Sequence, residues 1–367
     1  MPLTQVDQGL LGQYAQYTGF KNRIINGAMV IDQRNAGASV TPTNGQYTLD
    51  RWGCYAFGSA TSKYTVQQNA GSVTPPAGFR NYLGVTSTSA YSVAAGDITS
   101  VYQIIEGFNT ADLGFGTANA ATVTLSFWVR SSLTGTFGGA FKNNAINRSY
   151  PFTYTISSAN TWEQKSVTVA GDTTGTWVGA TNGSGLFIIF SLGTGSTYSS
   201  TAGAWVAGDF YSATGATSVI GTNGATLYIT GVQLEKGATA TSFDYRPYGT
   251  ELMLCQRYFV KWTGDSSATG FPMVGTGNIS APTTAIIFIP TPAALRTTPT
   301  VSFSGSVSIN DAATQSNMTS IAQIYAASGT GFWTILTASG GAFTGGNGAI
   351  VFIQNASTNS FSASSEL

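Results

Sequence analysis

From Thr122 to Arg130 the chain alternates without a break. Val123, Leu125, Phe127 and Val129 fall on one side; Thr122, Thr124, Ser126, Trp128 and Arg130 fall on the other. A repeat of two over this length fits a strand with one face in a core and does not fit a helix. Shorter stretches of the same kind recur at Lys63 to Gln68, Tyr82 to Thr86, Ser100 to Glu106, Phe152 to Ile156, Gln164 to Val169, Leu186 to Leu192 and Thr226 to Leu234. Ala-Gly-Asp segments at Ala95, Ala170 and Ala207 supply turns between them. Many short strands with glycine- and Asx-rich turns predict an antiparallel sandwich or barrel. Leu186-Phe-Ile-Ile-Phe190 is apolar on both faces, which predicts a central strand or one covered by a loop or partner.

Two further segments shape this expectation. In Leu227-Tyr-Ile-Thr-Gly-Val-Gln-Leu-Glu-Lys-Gly237 the apolar phase flips near Gly231, which predicts a β-bulge there. Asn22 to Arg34 reads as a strand pair turning at Asn26-Gly27. After Pro247 a short helical pattern follows, with Thr250 placed to cap it and Leu252, Cys255 and Phe259 spaced for one face. Arg257 belongs to the same joint. Beyond it, Ala285 to Ile289 reads as buried, and Val301 to Ile309 alternates with Val301, Phe303, Val307 and Ile309 on one face. The expected fold is all-β: a jelly-roll-like antiparallel β-sandwich over 21–248, a helical joint over 249–260, and a second β-sandwich over 261–367. Residues 1–20 form a polar arm with Leu10, Leu11, Tyr14 and Tyr17 as its apolar contacts.

Composition excludes several chemistries. The chain has no histidine, so the usual general base and the commonest zinc ligand are missing. Cys54 and Cys255 are too few for a metal site; they read as two buried thiols, with a single bridge as the alternative. Charged residues make up 8%, against roughly 25% in an ordinary globular protein, and the formal net charge is zero. That offers no electrostatic grip on nucleic acid or an anionic membrane. No run of ~18 apolar residues and no secretory leader pattern is present, so no membrane insertion is expected. No nucleotide-binding loop occurs, and neither cofactor nor metal is expected. Glu106, Glu163, Glu235 and Asp244 sit at strand ends where a glycosidase pair would lie, but structural roles for carboxylates are far commoner. The expectation is therefore a protein without catalytic residues.

What remains is aromatic. At 12% aromatic and 42% hydrophobic, the chain is not of disordered type. Sugars are held by aromatic faces together with amides and hydroxyls, because their C–H faces are apolar and their edges polar. Trp177 and Trp205 lie in Gly/Thr-rich loops and Trp128 stands on a polar strand face, which makes these three the candidate carbohydrate platforms. The competing reading for each is packing under a loop or at a subunit contact. Trp52 and Trp162 read as core or corner residues.

Lys21-Asn-Arg-Ile-Ile-Asn-Gly-Ala-Met29, Asp50-Arg-Trp52, Val123-Thr-Leu-Ser-Phe-Trp-Val-Arg130, Gly231-Val-Gln-Leu-Glu235 and Cys255-Gln-Arg-Tyr-Phe259 together resemble segments of bacteriophage tail-fibre and related virion proteins, over about residues 1–260. The first domain also resembles jelly-roll carbohydrate-binding modules, although no sugar-contacting motif matches residue by residue. The resemblance implies a non-enzymatic, receptor-binding virion protein, a homotrimer assembled in a host cytoplasm. Its N-terminal arm would attach to tail, baseplate or capsid, and its β domains would bind host-surface glycan. A capsid (head) fibre or decoration protein is the alternative. A glycan depolymerase and a secreted bacterial adhesin stand behind both.

Overall fold

The alternation from Thr122 onward becomes the strand Val123–Ser131, with Val123, Leu125, Phe127 and Val129 fully buried. The structure is a computed structural model that describes residues 20–266, 271–325, 329–341 and 343–367. Tyr248 ends one compact unit and Gly249 opens a second.

In the first unit a five-stranded antiparallel sheet runs in the order Tyr64–Gln68, Leu83–Ser87, Thr226–Lys236, Val123–Ser131, Glu163–Val169. A seven-stranded sheet runs Tyr47–Leu49, Trp52–Phe57, Ile98–Glu106, Ser184–Thr194, Gly135–Lys142, Arg148–Ile156, Val206–Ala207. The inner faces share one core, in which Phe127, Phe190, Tyr154 and Trp52 meet. This is the all-β, sandwich-type fold expected from the sequence. The strand apolar on both faces, Ser184–Thr194, lies fourth of the seven, where neither of its sides reaches solvent. Gly231 takes φ +59° at a register break between Thr230 and Gln233, so the phase flip is a bulge. A Cβ there would come within 2.6 Å of the Phe79 ring.

One strand was not legible in advance. Gly135–Lys142 reads GTFGGAFK, a glycine-rich string that local propensity disfavours. Its glycines answer to neighbours: a Cβ on Gly139 would lie 2.3 Å from the Ile189 carbonyl, and one on Gly138 would lie 2.5 Å from the Ser212 hydroxyl.

The expected strand pair at Asn22 to Arg34 does not form; the segment is buried irregular chain. Side-chain amides replace a backbone ladder. The Gln103 carboxamide accepts from the Ile25 N–H and donates to the Ile25 carbonyl, both at 2.8 Å. The Asn22 amide oxygen accepts from Ile24 and Leu234, and its nitrogen donates to the Val232 carbonyl. The Asn26 amide bonds both backbone groups of Ile31 and the Asp50 carbonyl. Trp52 donates its indole N–H to the Asn26 carbonyl at 3.1 Å. From the far side, Arg246 donates to the carbonyls of Ile24 and Asn22. Buried backbone must be paired somehow, and here amide side chains do it. Asn26, Met29 and Arg51 carry positive φ in this region.

The helix Tyr248–Gln256, all but its first residue in the second unit, begins directly after Pro247, so Thr250 lies inside its first turn instead of capping it. Cys255 is buried, Leu252 is half-buried, and Phe259 opens a strand. The Arg257 guanidinium donates to the Ala294 carbonyl, and its own carbonyl accepts from Arg296 N–H and the Ser365 hydroxyl. Six strands close into a barrel in the order Met273–Ala281, Thr284–Pro290, Gly331–Ala338, Gln315–Ile324, Val307–Asn310, Gly348–Ile353. A three-stranded sheet, Phe259–Thr263, Ser360–Ser364, Thr300–Ser304, packs on the same core. The alternating Val301 to Ile309 stretch is thus two strands in two sheets. Gly305 breaks it at φ +66°, where any Cβ would collide with the Asn359 side chain at 1.9 Å.

Candidate functional site

Three aromatic groupings sit outside the sandwich core, and the sequence-derived tryptophans are divided between two of them. Trp177 and Trp205 are brought together edge to face at 5.4 Å, with Phe115 at 4.9 Å from Trp177 and Tyr150 at 5.4 Å from Trp205. Their indole N–H groups are used internally: Trp205 donates to the Ala170 carbonyl at 2.7 Å, and Trp177 to the Thr174 carbonyl and the Asp172 carboxylate. Beside them is a cavity of about 60 Å³ lined by Thr110, Ala111, Phe115, Trp177, Val178, Gly179 and Leu186. Rings set edge to face with their polar ends satisfied act mainly as packing.

Beneath this cluster the Arg148 guanidinium clamps Asp172 with two contacts of 2.7 Å. Burial alone would raise the Asp172 carboxyl, but Arg148 and the Thr174 N–H more than offset it and hold it below its ordinary 3.8. Asp97, which accepts from the Tyr91 hydroxyl and the N–H groups of Ala94 and Ser59, is likewise lowered despite burial. A lowered folded pKa contributes stability that is complete above the unfolded value and lost as pH falls through the folded one. The urea midpoint is therefore expected to hold from neutral pH down to the ordinary carboxylate value and to drop below it. Asp172→Asn should flatten that acid limb, measured by denaturation across pH 7 to about 2.5.

Trp128 stands apart, half-buried on the outer face of the five-stranded sheet, its ring 3.1 Å from where a Gly231 Cβ would be. Phe79 reaches the same spot and packs on Phe243 and Tyr245 at 5.1 and 5.6 Å. On that face, too, Trp162 meets Tyr82 at 5.5 Å and donates to the Thr74 carbonyl. Leu10, Leu11, Tyr14 and Tyr17, the attachment contacts expected from the sequence, lie outside the described residues.

The third grouping contains no tryptophan and was not singled out in the sequence. Along the outer face of the seven-stranded sheet, Tyr47 meets Tyr102 (5.9 Å) and Tyr102 stacks on Tyr55 (4.3 Å). Tyr55 meets Tyr211 (5.3 Å), Tyr211 meets Tyr198 (5.8 Å), and Tyr198 meets Phe57 (6.4 Å). Register explains the alignment: Gly53 pairs with Tyr102 and Tyr55 with Ser100, so these side chains share one face. Gly53 is required, since a Cβ there would sit 2.4 Å from the Tyr102 ring. Tyr47, Tyr55 and Tyr198 are half-buried and Phe57 is exposed, which leaves ring surface open to solvent.

Polar groups lie along this row. Lys142, fully buried, pairs with Asp209 and donates to the Tyr211 hydroxyl at 2.9 Å; its ammonium also lies 4.1 Å from the Tyr211 ring centre and 5.4 Å from that of Phe187. Burial lowers the Lys142 pKa against the opposing pull of Asp209. The Tyr55 hydroxyl, desolvated and near the Asp209 carboxylate, has its pKa raised and has no hydrogen-bond partner among the described residues. The buried Ser100 hydroxyl also lacks one. An aromatic face beside an unengaged hydroxyl, here that of Tyr55, suits a polyol ligand.

The carboxylates considered for catalysis are engaged elsewhere. Glu163 accepts from the Ser157 and Ser158 N–H groups and pairs with Lys165; Glu235 holds Thr241 and Gln233; Asp244 accepts from the Lys21 and Asn22 N–H groups. Glu106 is buried. Cys54 and Cys255 are both buried and no disulfide joins them, and burial pushes the Cys54 thiol up to about 12. Among the described residues there is no group of three potential metal ligands, and no helix long and apolar enough to cross a membrane.

No family model matches the chain, and no curated protein does. Several solved structures align with part of the chain at low identity. The enzymatically active domain of tailspike protein 4 of bacteriophage CBA120 is 12% identical, with a TM-score of 0.30 over 59% of this chain and 21% of that one. A protein of Bacteroides thetaiotaomicron is 13% identical, with a TM-score of 0.35 over 59% of this chain and 100% of that one. A family 11 carbohydrate-binding module of a Clostridium thermocellum cellulase is 11% identical, with a TM-score of 0.27 over 56% and 99%.

Proposed function

We propose that this chain is a non-enzymatic, glycan-binding fibre or spike protein of a bacteriophage particle. In this reading it assembles as a homotrimer in the host cytoplasm, attaches through residues 1–20, and presents its β units to the host surface. The tyrosine row carries the proposal: ring surface open to solvent beside the Tyr55 hydroxyl, which has no hydrogen-bond partner among the described residues. Weak sugar contacts of this kind become useful when several copies act together, which suits a trimer.

The barrel supports self-association. None of its six strands contains a charged residue. Its outer wall carries a lateral row of Ile350, Thr276, Phe288 and Trp333, register partners across four strands, with Trp333 45% and Ile350 41% exposed. Covering such a wall with a copy of itself desolvates no charge and removes exposed apolar surface from water. The assembled mass in solution is expected near three times 38.1 kDa. Trp333→Lys with Ile350→Lys should leave the protein folded and bring the mass down to one chain, read by light scattering. A wild-type protein that runs as a single chain at micromolar concentration overturns the trimer.

A further inference from the structure

The charge that the tyrosine row presents to a ligand is negative, although a cation and an anion both lie there. Lys142 and Asp209 form a pair in which the two ends differ in access: the Lys142 side chain is 2% exposed, the Asp209 side chain 27%. The ammonium is closed in by the Tyr211 and Phe187 rings and by the Tyr211 hydroxyl. The carboxylate, whose second oxygen accepts from the Tyr211 hydroxyl at 3.3 Å, keeps its exposed side near the Tyr55 hydroxyl. Of the other cations near this face, Arg34 lies over the Tyr47 ring at the far end of the row, and Arg51 donates to the Ile104 carbonyl.

We infer that the Lys142–Asp209 pair sets the ligand class of this site: uncharged sugars whose adjacent hydroxyls donate to Asp209, to the exclusion of uronic and sialic acids. The inference rests on the glycan-binding reading. A carboxylate accepts two hydroxyl donors well and repels a second carboxylate in the partly desolvated setting between rings. Lys142 is a positioning residue: it fixes the Asp209 carboxylate and, through the Tyr211 hydroxyl, the ring beside it. It stays out of reach of an acidic sugar. The Tyr55 hydroxyl, without a hydrogen-bond partner among the described residues, adds donor and acceptor capacity on the same face.

The full chain can be titrated with neutral oligosaccharides of glucose, galactose, mannose and xylose, and with trigalacturonate and sialyllactose, while tyrosine fluorescence and heat are followed. At least one neutral sugar is expected to bind, and the acidic ones at least tenfold more weakly. Asp209→Asn should weaken the neutral ligand tenfold or more and narrow its lead over the acidic sugars. If the buried ammonium makes that variant unstable, Lys142→Met with Asp209→Asn removes both charges and should show the same narrowing. Acidic sugars binding best, with loss in Tyr55→Ala, would overturn the ligand class but leave the glycan site standing. Neutral binding indifferent to both Asp209 variants would overturn the role of the pair. No binding by any sugar at millimolar concentration would overturn the glycan reading itself.

Discussion

Trp52→Ala is expected to lower stability by about 3–5 kcal/mol, the range for deleting a large buried aromatic side chain. Trp52 is fully buried and meets Phe190 at 6.4 Å in the centre of the sandwich. Its indole N–H also holds the Asn26 carbonyl, inside the amide-paired segment that follows Lys21. The substitution therefore opens a cavity and releases a buried carbonyl together. Trp52→Phe separates the two effects, since it keeps most of the volume and loses only the hydrogen bond, at about 1 kcal/mol. Urea denaturation of both variants, read by circular dichroism, checks this. Equal losses in the two would mean that the hydrogen bond dominates; a negligible loss for alanine would mean that Trp52 does not join that segment to the core.

Tyr55→Ala is expected to abolish measurable glycan binding while leaving the fold intact. Tyr55 is central to the row, stacked on Tyr102 and edge-on to Tyr211, so its loss removes one ring face and misaligns two others. A tenfold loss of affinity corresponds to about 1.4 kcal/mol, within what one aromatic contact contributes. Tyr55→Phe should retain part of the binding, because the ring remains and only the hydroxyl goes. Gly53→Ala should mimic the alanine variant without touching a ligand contact, by displacing the Tyr102 ring. Trp177→Ala is the counter-test. Binding lost there but retained in Tyr55→Ala would move the site to the cluster of Trp177 and Trp205.

Much of the architecture is readable from local sequence because burial on one face writes a period of two. Val123 to Val129 and the bulge at Gly231 are instances where residue type and backbone need coincide. What could not be read depends on partners distant in the chain. Gly138 and Gly139 look like loop residues until Ser212 and Ile189 lie against them. Asn22 and Asn26 look like turn formers, yet they satisfy buried backbone reached from Val232, Leu234 and Asp50. Gly305 divides what reads as a single alternating strand, because the chain leaves one sheet for another there. The candidate site was hidden for the same reason. Tryptophans stand out in a sequence, whereas Tyr47, Tyr55, Tyr102, Tyr198 and Tyr211 fall into line only once five separate segments meet, three as strands of one sheet and two as the stretches that carry Tyr198 and Tyr211. Trp177 and Trp205 do meet, but around each other.

The second unit's barrel has one more consequence. Strands without ionisable side chains hold nothing to titrate and attract no counter-ions, so contacts made through that wall have little reason to weaken between dilute buffer and brine. The self-association proposed for this chain, if made through that wall, would stay closed in water of any salinity, while cold, which weakens hydrophobic contact, would be what loosens it.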